Sequence, residues 1–428
     1  MTSLPGRVET LVIGAGQAGL AMSWHLGRAG RDHVVLERRA TLGGGWQDRW
    51  DAFRLVSPNW SASFPGAPYD GDDPDGFMPR DEIAGRVARY ATTIGAPVVL
   101  DAGVDRLRAR GMGGFEILTS QGRVEARTVV VATGGFHVPN VPALAAALPP
   151  RVTSLHSSAY RRPEDLPPGA VLVVGSAQTG VQLVEELRAA GREVFLSVGS
   201  AGRFPRRYRG RDCFSWLALA VERGPELGAP LPPVASLPDP RRRLAGNPHV
   251  SGHGGGHDTN LRQFGRDGVR LLGRLLAVDG DRVRLAPDVL DNLAAADRFF
   301  DERFRGIIDR IINAAGIDAP PATPAAAVDF EPAVVEELDL GKAGVSTVLW
   351  TTGYRQDLGW IEPSITDEMG FPKQVRGVTD VPGLYVIGSL WQHDQASATL
   401  FGVPRDARFL AERMGLGPGP EGVQGDSI

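Results

Sequence analysis

The sequence predicts an α/β fold with two Rossmann-like dinucleotide-binding domains, the second inserted into a discontinuous first. Three observations carry this reading. The apolar run Val8–Ile13 leads without a gap into Gly14-Ala15-Gly16-Gln17-Ala18-Gly19 and then into helical apolar spacing. The same order returns at Ala170–Val174, followed by Gly175-Ser176-Ala177-Gln178-Thr179-Gly180. Two further buried-strand runs end in Thr-Gly turns, at Thr133-Gly134 and Thr352-Gly353. Strand, glycine turn and helix in that order make up the nucleotide-binding half of a doubly wound sheet.

Composition narrows the class. The 428 residues leave room for two to four domains at about 100–200 residues each. A formal charge of −4 argues against nucleic acid or an anionic membrane as the main partner. Hydrophobic residues make up 42%, a globular value. Only two of the basic residues are lysines, Lys342 and Lys373. The single cysteine, Cys213, excludes an internal disulfide, a CxxC pair, a cysteine zinc cluster and dithiol reductase chemistry. No apolar run approaches the ~18 residues of a membrane helix, and the N-terminus lacks the layout of a signal peptide, so a cytoplasmic location is expected.

In the first unit each glycine has a task. Gly14 makes the tight turn, Gly16 admits a pyrophosphate to the backbone, and Gly19 permits close helix–strand packing. Gln17 and Ala18 open the helix, whose N–H groups and dipole face the phosphates. His33-Val34-Val35-Leu36 is the next strand, and Glu37 at its end stands where an acid holds ribose hydroxyls. In the second unit the middle glycine is Ala177, between Gly175 and Gly180, with Gln178 and Thr179 opening the helix. Its second strand ends in Ser197, with Arg203, Arg206 and Arg207 following. No acid and nearby guanidinium groups favour a 2′-phosphate, hence NADPH over NADH. Further on, 228–257 reads as a long irregular loop, 290–312 as one or two surface helices, and 404–414 as a C-terminal helix.

These motifs resemble the flavin-containing monooxygenase superfamily. Gly43-Gly44-Gly45-Trp46, Arg49-Trp50-Asp51 and Arg54-Leu55 are similar to that family's FAD-contacting GGxW…RYD…RL segment. Thr133-Gly134 and Thr352-Gly353-Tyr354 resemble its two ATG turns, and Gly383–Gly388 its late FAD-contacting strand. His156-Ser157 and Tyr160 match the back half of its FxGxxxHxxxF/Y fingerprint; Pro150 and Val152 stand at the front positions. Tyr160-Arg161 replaces the Trp-Pro of the Baeyer–Villiger variant. By this resemblance Gly45, Trp46, Arg54, Thr133, Gly134, Thr352, Gly353, Gly388 and Leu400 join Glu37 and the two glycine loops as cofactor contacts.

The resemblance implies FAD and NADPH as cofactors. NADPH reduces the flavin, the flavin forms a hydroperoxide with oxygen, and a nitrogen or sulfur nucleophile takes the distal oxygen. Asn59, after the RL segment, is the candidate for steadying the oxygenated flavin. His393, in Trp391-Gln392-His393-Asp394, is the candidate facing substrate. His253 and His257 lie in a glycine-rich loop and do not share a helix face, so no metal site is expected there; the segment 257–260 is the better candidate for a substrate pocket. The expected domains are residues 1–165 with 335–414 for FAD and 166–334 for NADPH, with a flexible tail at 415–428. The expected partners are a small-molecule substrate and oxygen. The alternatives are a flavin oxidase or dehydrogenase acting on a C–N or C–C bond, and a nucleotide-binding flavoprotein without turnover.

Overall fold

The computed structural model describes residues 3–111, 113–323 and 327–417. Strand β1 (Arg7–Ile13) is central to the first sheet, and Leu11 and Val12 are fully buried. Helix α1 (Gln17–Arg28) follows, then β2 (His33–Leu36), which pairs with β1 in parallel. Helix α2 (Arg80–Thr93) precedes a short parallel pairing of Val98–Val99 with β2. Strand β3 (Gly122–Val131) lies parallel on the other edge of β1. Val104–Ala109 and Phe115–Thr119 form an antiparallel meander onto the first half of β3.

The second sheet is built on β4 (Ala170–Val174), every residue of which is buried. Helix α3 (Gln178–Ala189), β5 (Val194–Ser197) and β6 (Val345–Trp350) complete the repeat. The order is Arg270–Leu272, β5, β4, β6, Thr153–His156, all parallel. Such a sheet is covered on both faces, which is why its strands read as continuous apolar runs. The sheet is wider than the expected 166–334. Thr153–His156 carries no glycine loop, and β6 ends at the Thr352-Gly353 turn with no nucleotide-binding helix after it, so local spacing does not reveal that they join the second sheet. The chain crosses between the two sheets at Val138–Pro139 and at Tyr354–Arg355, and these crossings pair antiparallel.

The region expected to carry surface helices forms Val289–Phe300 and Gly306–Ala314, joined by a π-helical segment, Asp301–Arg305. These helices are more than surface cover. They bury Phe300, Phe304, Ile308 and Ile311 around Trp216 and Phe204. The 228–257 segment is irregular, broken by three short 3₁₀ turns.

The chain then returns to the first sheet. Strand β7 (Leu384–Val386) pairs with the last residues of β3. Helix α4 (Val403–Arg413), within a residue of its expected limits, packs along α1. Arg405 binds Asp394 at 2.5 Å and Asp406 at 2.9 Å, both carboxylates being buried. That network fastens the loop after β7 to α4. Of the expected tail, residues 418–428 lie outside the described residues.

Helix α3 meets the first unit at Glu186. Burial pushes its carboxyl up to about 7, outweighing Tyr160 and Trp50, which favour the charged form. The folded protein therefore holds this proton more tightly than the unfolded chain, whose carboxyl titrates near 4.5. The associated stability is complete below pH 4.5 and is lost as pH rises through 7. Glu186→Gln should therefore match the parent's melting temperature at pH 4.5 and exceed it at pH 8, read by thermal melts across that range.

Candidate active site

The first glycine loop leaves β1 through Gly14 at φ +109°, where a Cβ would stand 2.6 Å from the Ala132 carbonyl oxygen. A Cβ on Gly19 would stand 1.8 Å from the Gly14 carbonyl oxygen. Both positions are glycine because the protein's own packing demands it. Gly16 is different. Its φ of −79° suits any residue, and a Cβ there would meet nothing within 4 Å. Among the described residues, no acceptor takes the N–H of Gly16, Gln17 or Ala18. An open glycine beside unpaired helix donors is a cradle shaped for an anion from outside the chain. Glu37 is buried at the loop's edge. Its Oε2 accepts from Ala15 N–H at 3.0 Å, and its Oε1 from Arg39 N–H at 3.1 Å.

The glycine-tryptophan segment closes over this loop as a 3₁₀ turn, Gly44–Asp48. A Cβ on Gly44 would meet Gly16 Cα at 3.0 Å, whereas Gly45 faces open space. Trp46 Nε1 donates to Gln17 Oε1, and Gln17 Nε2 donates to the Ala398 carbonyl. At the end of β7, Gly388 comes so near Ala18 that a Cβ would lie 2.7 Å from its methyl; Leu400 is buried in the core behind. Gly134 and Gly353 follow the strands at φ +76° and +78°, each with nothing near a Cβ. Thr133 O accepts from His137 Nε2, and Thr352 Oγ1 donates to the Asn140 carbonyl. Arg54, exposed, donates to the Phe77 carbonyl at 3.0 Å.

The second loop repeats the backbone and differs in its surroundings. Gly175 has φ +111°, and a Cβ on Gly180 would lie 2.0 Å from the Gly175 carbonyl oxygen. Here the mouth is covered by the chain itself. Gln178 N–H donates to the Asn247 carbonyl at 3.3 Å, and its side chain makes two bonds to the Val250 backbone. Gly246 has no room for a Cβ because the Ala177 methyl would be 2.4 Å away. His249 in this strap is fully buried, and burial with the nearby Arg203 cation pushes its pKa down to about 3. Thr179 is half-buried beside the loop, and Ser197 Oγ donates to the Gly273 carbonyl at 3.0 Å. Sequence reasoning missed the strap; Gly246-Asn247-Pro248 is its one local signal.

Two candidate residues are engaged within the chain. Arg206 is buried, forms a two-point ion pair with Asp212 at 2.8 Å, and donates to the Val56 carbonyl at 2.8 Å. It also stacks on Phe77 and Phe214. Its guanidinium is thus engaged within the chain. Arg207 is exposed and keeps its guanidinium unpaired among the described residues. Asn59 is also spent internally: Nδ2 donates to the Asp73 carbonyl at 2.9 Å, and Oδ1 accepts from Met78 N–H at 2.6 Å. Its amide clasps the 73–78 loop. His393 is half-buried, and burial lowers its pKa below the ordinary imidazole value.

The remaining clusters offer little chemistry. Among the described residues, no group of three or more His, Cys, Asp or Glu could hold a metal ion. His257 Nε2 pairs with Glu185 at 2.8 Å. Cys213 is buried, and burial pushes its thiol pKa up. No helix among the described residues is long and apolar enough to cross a membrane.

An open phosphate cradle with an acid beside it, and a second loop of the same backbone design, define the class of nucleotide-dependent flavin oxidoreductases. Comparison with known proteins agrees. Residues 11–211 match the family model described as pyridine nucleotide-disulphide oxidoreductase. An uncharacterized oxidoreductase named CzcO-like, from Geobacillus kaustophilus, is 31% identical over 405 residues, 94% of this chain and 97% of that protein. Indole-3-pyruvate monooxygenase YUCCA1 of Oryza sativa is 31% identical over 232 residues, 52% of this chain and 54% of that protein. A doubly substituted flavin monooxygenase from Stenotrophomonas maltophilia shares the fold at a TM-score of 0.64 and 20% identity, covering 96% of this chain and 98% of that one. The chain belongs to the flavin-containing monooxygenase superfamily.

The glycines separate folding from loading. Gly16→Val should fold, with a melting temperature close to the parent's, and purify colourless. Gly19→Ala should fail to fold, or lose several degrees of stability, because its Cβ meets backbone. Absorbance of bound flavin per chain, together with a thermal melt, checks both.

Proposed function

We propose that the protein is an FAD-dependent monooxygenase that consumes NADPH and oxygenates a nitrogen or sulfur atom of a small molecule. The observation that carries this is Gly16, a glycine that nothing in the chain requires, set beside unpaired helix donors. FAD, when bound, supplies the redox chemistry, taking electrons from the nicotinamide and passing them to oxygen. The chain's own part is to hold and enclose. The N–H groups of Gly16, Gln17 and Ala18 would take the pyrophosphate, and Glu37 keeps lone pairs for ribose hydroxyls. Trp46, whose indole bonds Gln17, packs against Phe53 beside the first glycine loop. His393, whose pKa burial lowers, is the candidate to take a proton from a substrate group, becoming an imidazolium as it does so. A lone buried Cys213 provides no dithiol to relay electrons, which supports oxygen as the acceptor.

At the second loop the Asn247 carbonyl takes a helix N–H that a phosphate would otherwise take. NADPH binding therefore involves a shift of the 246–250 strap. The end of β5 offers Ser197 in place of an acid, and of the three following arginines Arg207 is the uncommitted one.

The experiment supplies NADPH, labelled oxygen and a panel of amines and sulfides. Product carrying the oxygen label supports the proposal. Unlabelled product with stoichiometric hydrogen peroxide would instead establish the oxidase alternative.

Cofactor choice gives a second check. A charge-assisted bond to the 2′-phosphate contributes about 1.5–3 kcal/mol, roughly 10- to 100-fold. NADPH should be preferred over NADH by at least about tenfold in kcat/KM. Arg207→Ala should raise KM for NADPH alone. Arg206→Ala should instead destabilise the fold by about 3–5 kcal/mol, because it strands a buried carboxylate. Steady-state flavin reduction and chemical denaturation of both variants decide this.

A further inference from the structure

The buried arginines of this protein show what a satisfied guanidinium looks like here. Arg86 bonds the Ala62 and Pro68 carbonyls and Asp70. Arg206 has Asp212 and the Val56 carbonyl. Arg405 has Asp394 and Asp406. Arg49 has none of this. Its Nε is buried with no hydrogen-bond partner, as is that of Arg206, but Arg206 has an ion pair with Asp212 and Arg49 forms no ion pair among the described residues. The acids beside it in sequence are taken: Asp48 pairs with Arg39, and Asp51 with Arg80 at 2.6 Å.

The guanidinium sits instead in an aromatic box. It stands 4.7 Å from the Phe136 ring centre, 5.7 Å from Phe53 and 6.0 Å from Trp46. Phe136 meets Tyr354 edge-on at 5.1 Å. These side chains come from the segment over the first glycine loop and from the loops that follow β3 and β6. In α/β folds, ligands bind where loops gather beyond the carboxyl ends of the strands. Arg49 is partly buried and Phe136 half exposed, so the box is open to solvent on one side; a partly desolvated cation without a counter-charge is costly, and burial lowers its pKa.

We propose that Arg49 receives the carboxylate of the substrate, a small organic acid with an apolar or aromatic body. Its fork accepts a carboxylate through two parallel bonds, and Phe136, Phe53 and Tyr354 offer faces for the apolar part. The pyrophosphate of a dinucleotide is already provided for by the open donors at Gly16. This inference rests on the proposed small-molecule oxygenation and narrows its substrate class to acids.

The test titrates phenylacetate, which has no oxidisable nitrogen or sulfur, into the flavin-loaded protein by calorimetry. Phenylacetamide and inorganic phosphate are titrated in parallel. In the parent, phenylacetate should bind at least about tenfold more tightly than the neutral amide. Arg49→Gln should abolish that difference, Arg49→Lys should restore part of it, and both should keep full flavin. Equal binding of acid and amide by the parent overturns the proposal without recourse to a variant. Unchanged phenylacetate binding in Arg49→Gln overturns it while leaving the flavin reading intact. Loss of flavin, or a raised KM for NADPH, in Arg49→Gln also overturns it, by assigning the guanidinium to a cofactor phosphate.

Discussion

The closeness of helix to strand at Gly14 and Gly19 is the constraint on which the rest of the first site depends. With hydrogen at position 19, α1 begins almost on top of the carbonyl that ends the strand. Only then do its first N–H groups stand free at the sheet's edge, and only then does Glu37 reach the Ala15 amide from the neighbouring strand. Gly388 and Ala18 extend the same tight packing to the chain's return through β7. Gly175 and Gly180 repeat it in the second sheet with nearly the same φ and clearance. The two units thus share one steric solution, and their chemistry diverges in what surrounds it.

That divergence turns on the middle residue. Gly16 faces free space, with a neighbouring turn held back by Trp46 and Gln17. Ala177 faces Gly246, and the strap that carries Gly246 satisfies the helix terminus from within. One terminus is left dependent on a ligand. The other is stable alone and exchanges one acceptor for another when a ligand arrives. Such an exchange costs little, since a hydrogen bond lost is replaced by one gained.

How much was legible follows from how local each signal is. Both glycine loops, Glu37, the flanking strands and the last helix were readable because strand period, glycine spacing and helical period are encoded within about 30 consecutive residues. Asn59 and Arg206 were not. Their partners, Asp73, Met78, Val56 and Asp212, include groups far away in sequence, and nothing in the words around Asn59 or Arg206 reveals that their donors are already used. That the edge strand Thr153–His156 and strand β6 join the second sheet was hidden for the same reason: parallel pairing joins residues separated by nearly 200 positions. The aromatic box around Arg49 draws on three segments, two of them far from Arg49 in sequence, and each aromatic alone reads as ordinary core.

The paired crossings have a mechanical consequence. Tyr354–Arg355 and Val138–Pro139 run side by side as a two-stranded ribbon, and Asn140 ties the ribbon to Thr352 and Gly353. Two separate single-chain tethers would let the sheets slide, tilt and swivel independently. A hydrogen-bonded ribbon resists stretching and shear but yields to torsion, as β-structure does through its twist. At this point the ribbon would leave rotation about its own axis as the least resisted movement of one sheet against the other. His156, bonded to the Gly353 carbonyl and packed edge-on against Tyr354, anchors that axle to the second sheet. Tyr354 and Phe136, in edge-on contact beside this ribbon, stand where any such rotation would displace side chains least.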